Sequence, residues 1–150
     1  MVKVRKGFTL VELLIVIVII GILAGGMMLA SGAATATATA TTIVSDLKAL
    51  QGAMVMYYAD HMDQGVGTLA SQKIYPYMGD SQKIKNDSGT YTFTIDANGW
   101  WVTYEGGRLT DAKVQEKVEA KAKDVGLYAA AGASPALYAK GTAKVTLKAR

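Results

Sequence analysis

Glu12 places an ionisable carboxyl inside "RKGFTLVELLIVIVII", residues 5 to 20, where nearly every following side chain is hydrocarbon. An acidic side chain at the centre of a bilayer-spanning helix costs roughly 2.5 to 3.5 kcal/mol on insertion scales, and less near the interface. A carboxylate in that position requires a partner, and an intramembrane ionisable residue reads by default as a functional site. The other residue types able to do chemistry are sparse. His61 lies between Asp60 and Asp63, a grouping that could hold a metal, although one imidazole near a helix C-terminus is more often favoured by the helix dipole. Tyr57, Tyr58, Tyr75 and Tyr77 could form an electron path, yet aromatics at helical spacing usually fill a core. Lys140, Lys144, Lys148 and Arg150 make a basic carboxy-terminal tract that could touch phosphates, or could guard an exposed strand edge against aggregation. In these three cases the structural reading is preferred. The sequence has no cysteine, which excludes thiol catalysis, thiolate metal sites and disulfides. It shows no P-loop, no nucleophile with a base beside it and no paired carboxylates at a recognisable spacing, so no catalysis, cofactor or metal is expected.

The segments that must position Glu12 follow from charge and hydropathy. Of the sixteen basic residues in 150, Lys3, Arg5 and Lys6 precede the apolar run, where positive charge holds an end in the cytoplasm. Without them thirteen bases face twelve acids, so the net +4 falls to +1 and a nucleic-acid role weakens. Residues 13 to 30, "LLIVIVIIGILAGGMMLA", carry no charge and are long enough to cross a hydrocarbon core of roughly 30 Å. An ordinary cleaved signal peptide competes, because small residues around Ala34 to Ala36 offer A-x-A sites, but its apolar region is usually shorter and Glu12 fits it poorly.

Lys6-Gly7-Phe8-Thr9-Leu10-Val11-Glu12 resembles the amino terminus of a type IV pilin or pseudopilin: a short basic leader ending in Gly, an aromatic residue, then Glu at the fifth position after the cut. The resemblance covers roughly the first sixty residues and is most specific in the first twelve. It implies cleavage between Gly7 and Phe8 by a prepilin peptidase and N-methylation of Phe8. The cut creates a cation four residues before Glu12, and Glu12 of one subunit would face the Phe8 amine of its neighbour, pairing charge in low dielectric at a fixed axial stagger. Gly21, Gly25, Gly26 and Gly32 lower helix propensity by about 1 kcal/mol each but let neighbouring helices approach closely. Many members of the family have a proline where this chain has Leu29, so any unwinding in a filament falls to Gly25-Gly26.

Residues 33 to 42, "AATATATATT", suit a strand by alternation and a helix by alanine content, or else a glycosylated or flexible stalk. The stripe Ile43, Leu47, Leu50, Met54, Tyr57 and His61 that follows has helical spacing, so one helix from about Phe8 to Asp60, roughly 80 Å long, is expected. Beyond a loop from Met62 to Gly89, pinned by Ile74, Tyr75, Pro76 and Tyr77, "TYTFTI" (90 to 95) and "WWVTY" (100 to 104) predict a hairpin. Its turn holds Asn98-Gly99, a pair suited to positive φ. A helix is expected from Thr110-Asp111 to Gly126 with Val114, Val118, Ala122 and Val125 on one face. "AKVTLKA" (143 to 149) would return as a third strand with Val145 and Leu147 inward. Leu47, Leu50 and Met54 would cover the sheet.

The expected class is α+β and pilin-like: a long N-terminal α-helix whose distal half packs on a small antiparallel head. The boundaries are a leader at 1–7, the helix at 8–62 and the head at 63–150. The leading expectation is a type IV pilus subunit, made as an inner-membrane precursor with a cytoplasmic N-terminus and assembled as an extracellular homo-oligomeric filament. Its partners would be the membrane, the prepilin peptidase and the pilus assembly machinery. The alternatives are a pseudopilin of a type II secretion or DNA-uptake system and a soluble secreted binding module. Pseudopilins of the secretion system usually carry an acidic calcium loop late in the head, whereas no acid follows Asp124 here.

Overall fold

The computed structural model describes residues 7–79, 84 and 89–150. The leader cations Lys3, Arg5 and Lys6 lie outside the described residues, as do residues 80–83 and 85–88 of the expected loop. The chain divides into two compact units, one ending at Thr35 and one running from Ala36 to Arg150. Helix α1, Leu10–Asp60, contributes residues to both.

In the first unit, the side chains of Phe8 through Met28 are exposed on every side of the helix. A helix that is apolar all round belongs in lipid or in a bundle of other helices. By length and composition it is able to cross a membrane.

In the second unit the buried face of α1 runs through Ala36, Ala40, Ile43, Leu47, Leu50, Met54 and Tyr57. Spacings of four and three residues keep this stripe on one side of a 3.6-residue helix. The Ala-Thr tract is therefore helical and not a flexible stalk. Alanines four apart face inward at residues 36 and 40, while the hydroxyls of Thr41 and Thr42 donate to the carbonyls of Thr37 and Ala38 at 2.8 and 3.0 Å. A hydroxyl that satisfies itself on the preceding turn removes the competition that threonine otherwise offers a helix.

The loop expected after Met62 contains ordered elements: strand β1 (Gly67–Leu69), a single helical turn α2 (Ser71–Ile74) and a 3-10 turn, Tyr75–Tyr77. Ile74 is fully buried and the Tyr75 ring meets Phe93 edge-on at 6.4 Å. The hairpin forms from β2 (Gly89–Asp96) and β3 (Gly99–Gly106), with Tyr91 opposite Tyr104, Phe93 opposite Val102 and Ile95 opposite Trp100. β5 (Lys144–Lys148) pairs with β3, setting Val145 against Tyr104 and Leu147 against Val102. A two-residue strand β4, Leu127–Tyr128, completes a five-stranded antiparallel sheet in the order β1-β2-β3-β5-β4. Two short strands thus extend the three expected, and both were too brief to show a period. Alternation turns Leu69, Tyr91, Phe93, Ile95, Trp100, Val102, Tyr104, Val145 and Leu147 toward the stripe of α1 in one core.

Helix α3, Ala112–Val125, is capped by Asp111, whose carboxylate accepts the Lys113 amide at 2.7 Å. It ends at Gly126, in the left-handed conformation (φ 75°), and buries Val114, Val118 and Ala122.

The hairpin turn departs from expectation. Among the described residues no residue other than glycine has positive φ, so Asn98 does not take the left-handed form. Asp96 instead accepts the Asn98 amide at 2.7 Å, and Gly99 alone carries the unusual torsion, φ +144°. A Cβ at Gly99 would also overlap the carbonyl oxygen of Arg150, which accepts the Trp100 amide at 2.9 Å. Gly99→Ala is expected to cost about 2 kcal/mol or more. Gly126→Ala, where the added carbon has room, should cost about 1 kcal/mol. Denaturant midpoints of the two variants check the order.

Candidate functional site

Glu12 lies in the first turn of α1. The Thr9 amide and the Thr9 hydroxyl both donate to its Oε2 at 2.8 Å, and the Thr9 hydroxyl accepts the Glu12 amide at 3.2 Å. This is a reciprocal capping box, threonine at the cap and glutamate three residues on, which satisfies amides that a helix start leaves without intrahelical partners. The carboxylate thus has a local role that its position in an apolar run did not reveal. S/T-x-x-E/Q at a helix start was the readable signal. Both bonds that Thr9 donates fall on Oε2. Gly7 and Phe8 precede the helix as exposed chain, and Phe8 is 83% accessible.

Gly21, Gly25 and Gly26 lie in unbroken helix, and a Cβ at any of them would meet no heavy atom within 4 Å. Among the described residues no packing contact requires glycine there. Gly32 lies on the same helix and is half-buried.

The secondary candidates are absorbed by the second unit. His61 stacks on Tyr57 with centroids 4.2 Å apart, and its Nδ1 lies 3.1 Å from the Tyr57 carbonyl. Asp60 accepts the Tyr77 hydroxyl at 2.8 Å, an interaction that raises the Tyr77 pKa above its ordinary value. Tyr57 and Tyr58 pack against Trp100 at 6.2 and 5.0 Å, so these aromatics are core and core margin. The basic tract is exposed, and each of its charges meets a carboxylate or an aromatic ring. Lys144 pairs with Glu105 at 2.8 Å, Lys140 with Glu116 at 3.4 Å, Lys148 sits over the Trp101 ring and Arg150 over Tyr58 at 3.7 Å. β5 lies between β3 and β4, but β4 pairs only with Thr146 and Leu147, so Lys144 and Lys148 flank the stretch that β4 covers.

A buried polar cluster was missed. Arg108, in the 3-10 turn Gly107–Leu109, donates from Nη2 to Asp46 Oδ2 at 3.0 Å and to the Tyr91 hydroxyl at 2.9 Å, and from Nε to the Tyr104 hydroxyl at 3.2 Å. Burial pushes the guanidinium pKa down, but the bonds to Tyr104 and Asp46 outweigh it and hold the group more basic than usual. Asp46 lies three residues after Ile43 and four before Leu50, on the buried stripe, so an acid at an inward position was the available signal. A smaller network on the opposite face of the sheet buries Trp101, whose indole N–H donates to Asp96 at 3.0 Å. That bond, with the Asn98 and Gly99 amides, holds the Asp96 carboxyl below its ordinary pKa.

A capped apolar helix joined in sequence to an α+β head, with a carboxylate in the first turn and a Gly-Phe step ahead of it, is the arrangement that the resemblance to type IV pilins and pseudopilins implies. Residues 2–28 match the family model described as the prokaryotic N-terminal methylation motif. Over 113 residues the chain is 31% identical to the type IV major pilin protein PilE1 of Neisseria gonorrhoeae, a match spanning 71% of this chain and 61% of that protein. Over 72 residues it is 39% identical to the type II secretion system core protein G of Klebsiella pneumoniae, spanning 45% of this chain and 51% of that one. The chain therefore covers less than two thirds of either relative. No solved structure matches it.

Proposed function

We propose that the chain is the structural subunit of a type IV pilus. Residues 1–7 are the leader, 8–62 the membrane anchor and later filament core, and 63–150 the head. The precursor sits in the inner membrane with its N-terminus cytoplasmic, is cut after Gly7 by a prepilin peptidase and is N-methylated at Phe8. Assembly machinery then moves it into a filament through packing of amino-terminal helices, with Gly21, Gly25, Gly26 and Gly32 as points of close approach. Contacts of this kind are heterologous and propagate without closing, so they make a fibre. The observation that carries the reading is a carboxylate held at the start of a helix whose residues 10–28 are exposed on every side and almost wholly apolar, four positions after the terminus that the cut would create. The longer of the two relative matches, to a major pilin, supports it.

A pseudopilin of a secretion or DNA-uptake system is the second reading, favoured by the similarity to core protein G. The absence of any acid after Asp124 weighs against an acidic calcium loop of the secretion type. Electron micrographs of the producing cell separate the two, since long surface fibres belong to a pilus. Intact mass of the native product tests both: a chain beginning at Phe8 with one added methyl is expected. A chain beginning at Met1, or near residue 35 as a secreted binding module requires, overturns them.

A further inference from the structure

The face of the sheet turned away from the core is floored by threonine. Thr92 lies opposite Thr103 across β2 and β3, Thr103 opposite Thr146 across β3 and β5, and Thr94 shares the face two residues beyond Thr92. Cross-strand neighbours of this kind sit about 5 Å apart, with diagonal neighbours at about 7 Å. Threonine suits any solvated strand face, but this face is roofed. Tyr128 bridges to Leu137 and the Ala129 amide donates to the Ala136 carbonyl at 2.9 Å, which closes the intervening loop upon itself. Alanines 129 to 131 line the near side of that loop, and a cavity of about 220 Å³ remains between them and the threonines.

Three features define what the cavity can hold. The Thr103 and Thr146 hydroxyls pair with each other at 3.0 Å, whereas those of half-buried Thr92 and Thr94 have no partner among the described residues. A hydroxyl both donates and accepts, so Thr92 and Thr94 offer a guest two hydroxyls of mixed polarity that are open to solvent. The neighbouring charges, Glu105 and Lys144, neutralise each other at 2.8 Å, so the groove carries no net charge to attract an ion. The roof presents methyl groups. An apolar guest would leave Thr92 and Thr94 unpaired and dry, and a peptide strand needs a sheet edge, whereas this is a face. A ring with hydroxyls on its rim and C–H groups on its flat side satisfies floor and roof together.

We propose that this groove binds one neutral pyranose unit of a polysaccharide. The full-length chain in dodecylphosphocholine micelles, which carry no sugar headgroup, is titrated with maltotriose, cellotriose and tri-N-acetylchitotriose, with trigalacturonate as the anionic comparison. Threonine and alanine methyl shifts are followed by NMR. At least one neutral trisaccharide is expected to saturate with a Kd on the order of 1 mM, the range open to a small hydrogen-bonded site. Thr92→Val and Thr94→Val, which keep the strand-favouring shape, should each weaken it about 5-fold or more, the loss expected for one hydrogen bond. Ala130→Leu, which fills the cavity, should abolish it. No saturable shift with any neutral sugar, equal affinity for trigalacturonate, or binding that survives all three substitutions overturns the proposal.

Discussion

Asp46→Ala is expected to destabilise the unit from Ala36 to Arg150 by about 3 kcal/mol, more than any other single side-chain truncation of a polar group in it. The substitution removes the carboxylate 3.0 Å from Arg108, whose side chain is only 18% exposed, and the Tyr91 and Tyr104 hydroxyls bonded to the guanidinium cannot replace that negative charge. Removing one member of a buried pair costs more than the pair contributes, because the remaining charge stays desolvated. The exposed pair between Lys144 and Glu105, about half exposed on both sides, is the control, and Glu105→Ala should cost about 0.5 kcal/mol. The double substitution Asp46→Leu with Arg108→Met should recover most of the loss by replacing charge with apolar volume. Chemical denaturation of the four proteins provides the measurement. A double variant no more stable than Asp46→Ala would show that the site fails by cavity or strain and not by stranded charge.

Asp46 also marks where the sequence stops being legible. The stripe from Ile43 to Tyr57, the hairpin, the α3 caps and the inward Val145 and Leu147 could all be read, because each is a local rule of period or turn chemistry acting over a few residues. Arg108 meets Asp46 across 62 positions, in a 3-10 turn with no periodic signature, so the acid could be noticed but its partner could not. β1 and β4 have three and two residues, too few to alternate, and exist because β2 and β5 offer ladders to pair with. The carboxy-terminal cations looked like a basic surface because sequence shows charge but not the Glu or aromatic ring that receives it. At the amino-terminal site the opposite held. Gly7, Phe8 and Glu12 were legible as a motif, while the bonds Glu12 makes to Thr9 change what a substitution there measures.

Replacing Glu12 by glutamine should abolish most filament assembly while leaving the protein helical and inserted in the membrane. Glutamine at this place in a capping box can still accept the Thr9 amide, so the helix start survives and only the charge is lost. Glu12→Ala removes both functions, and Thr9→Val removes the threonine hydroxyl's share of the box while leaving the charge. If Glu12 acts by meeting a neighbour's Phe8 amine in low dielectric, the glutamine and alanine variants should fail together. Thr9→Val should then assemble at close to the parental yield, after a helix-start loss of about 1 kcal/mol. If Glu12 acts only as a cap, glutamine should assemble normally and the valine variant should share alanine's defect. Sheared-filament yield alongside membrane-fraction content of the four proteins distinguishes the outcomes, and normal filaments from Glu12→Gln would end the charge-pairing account.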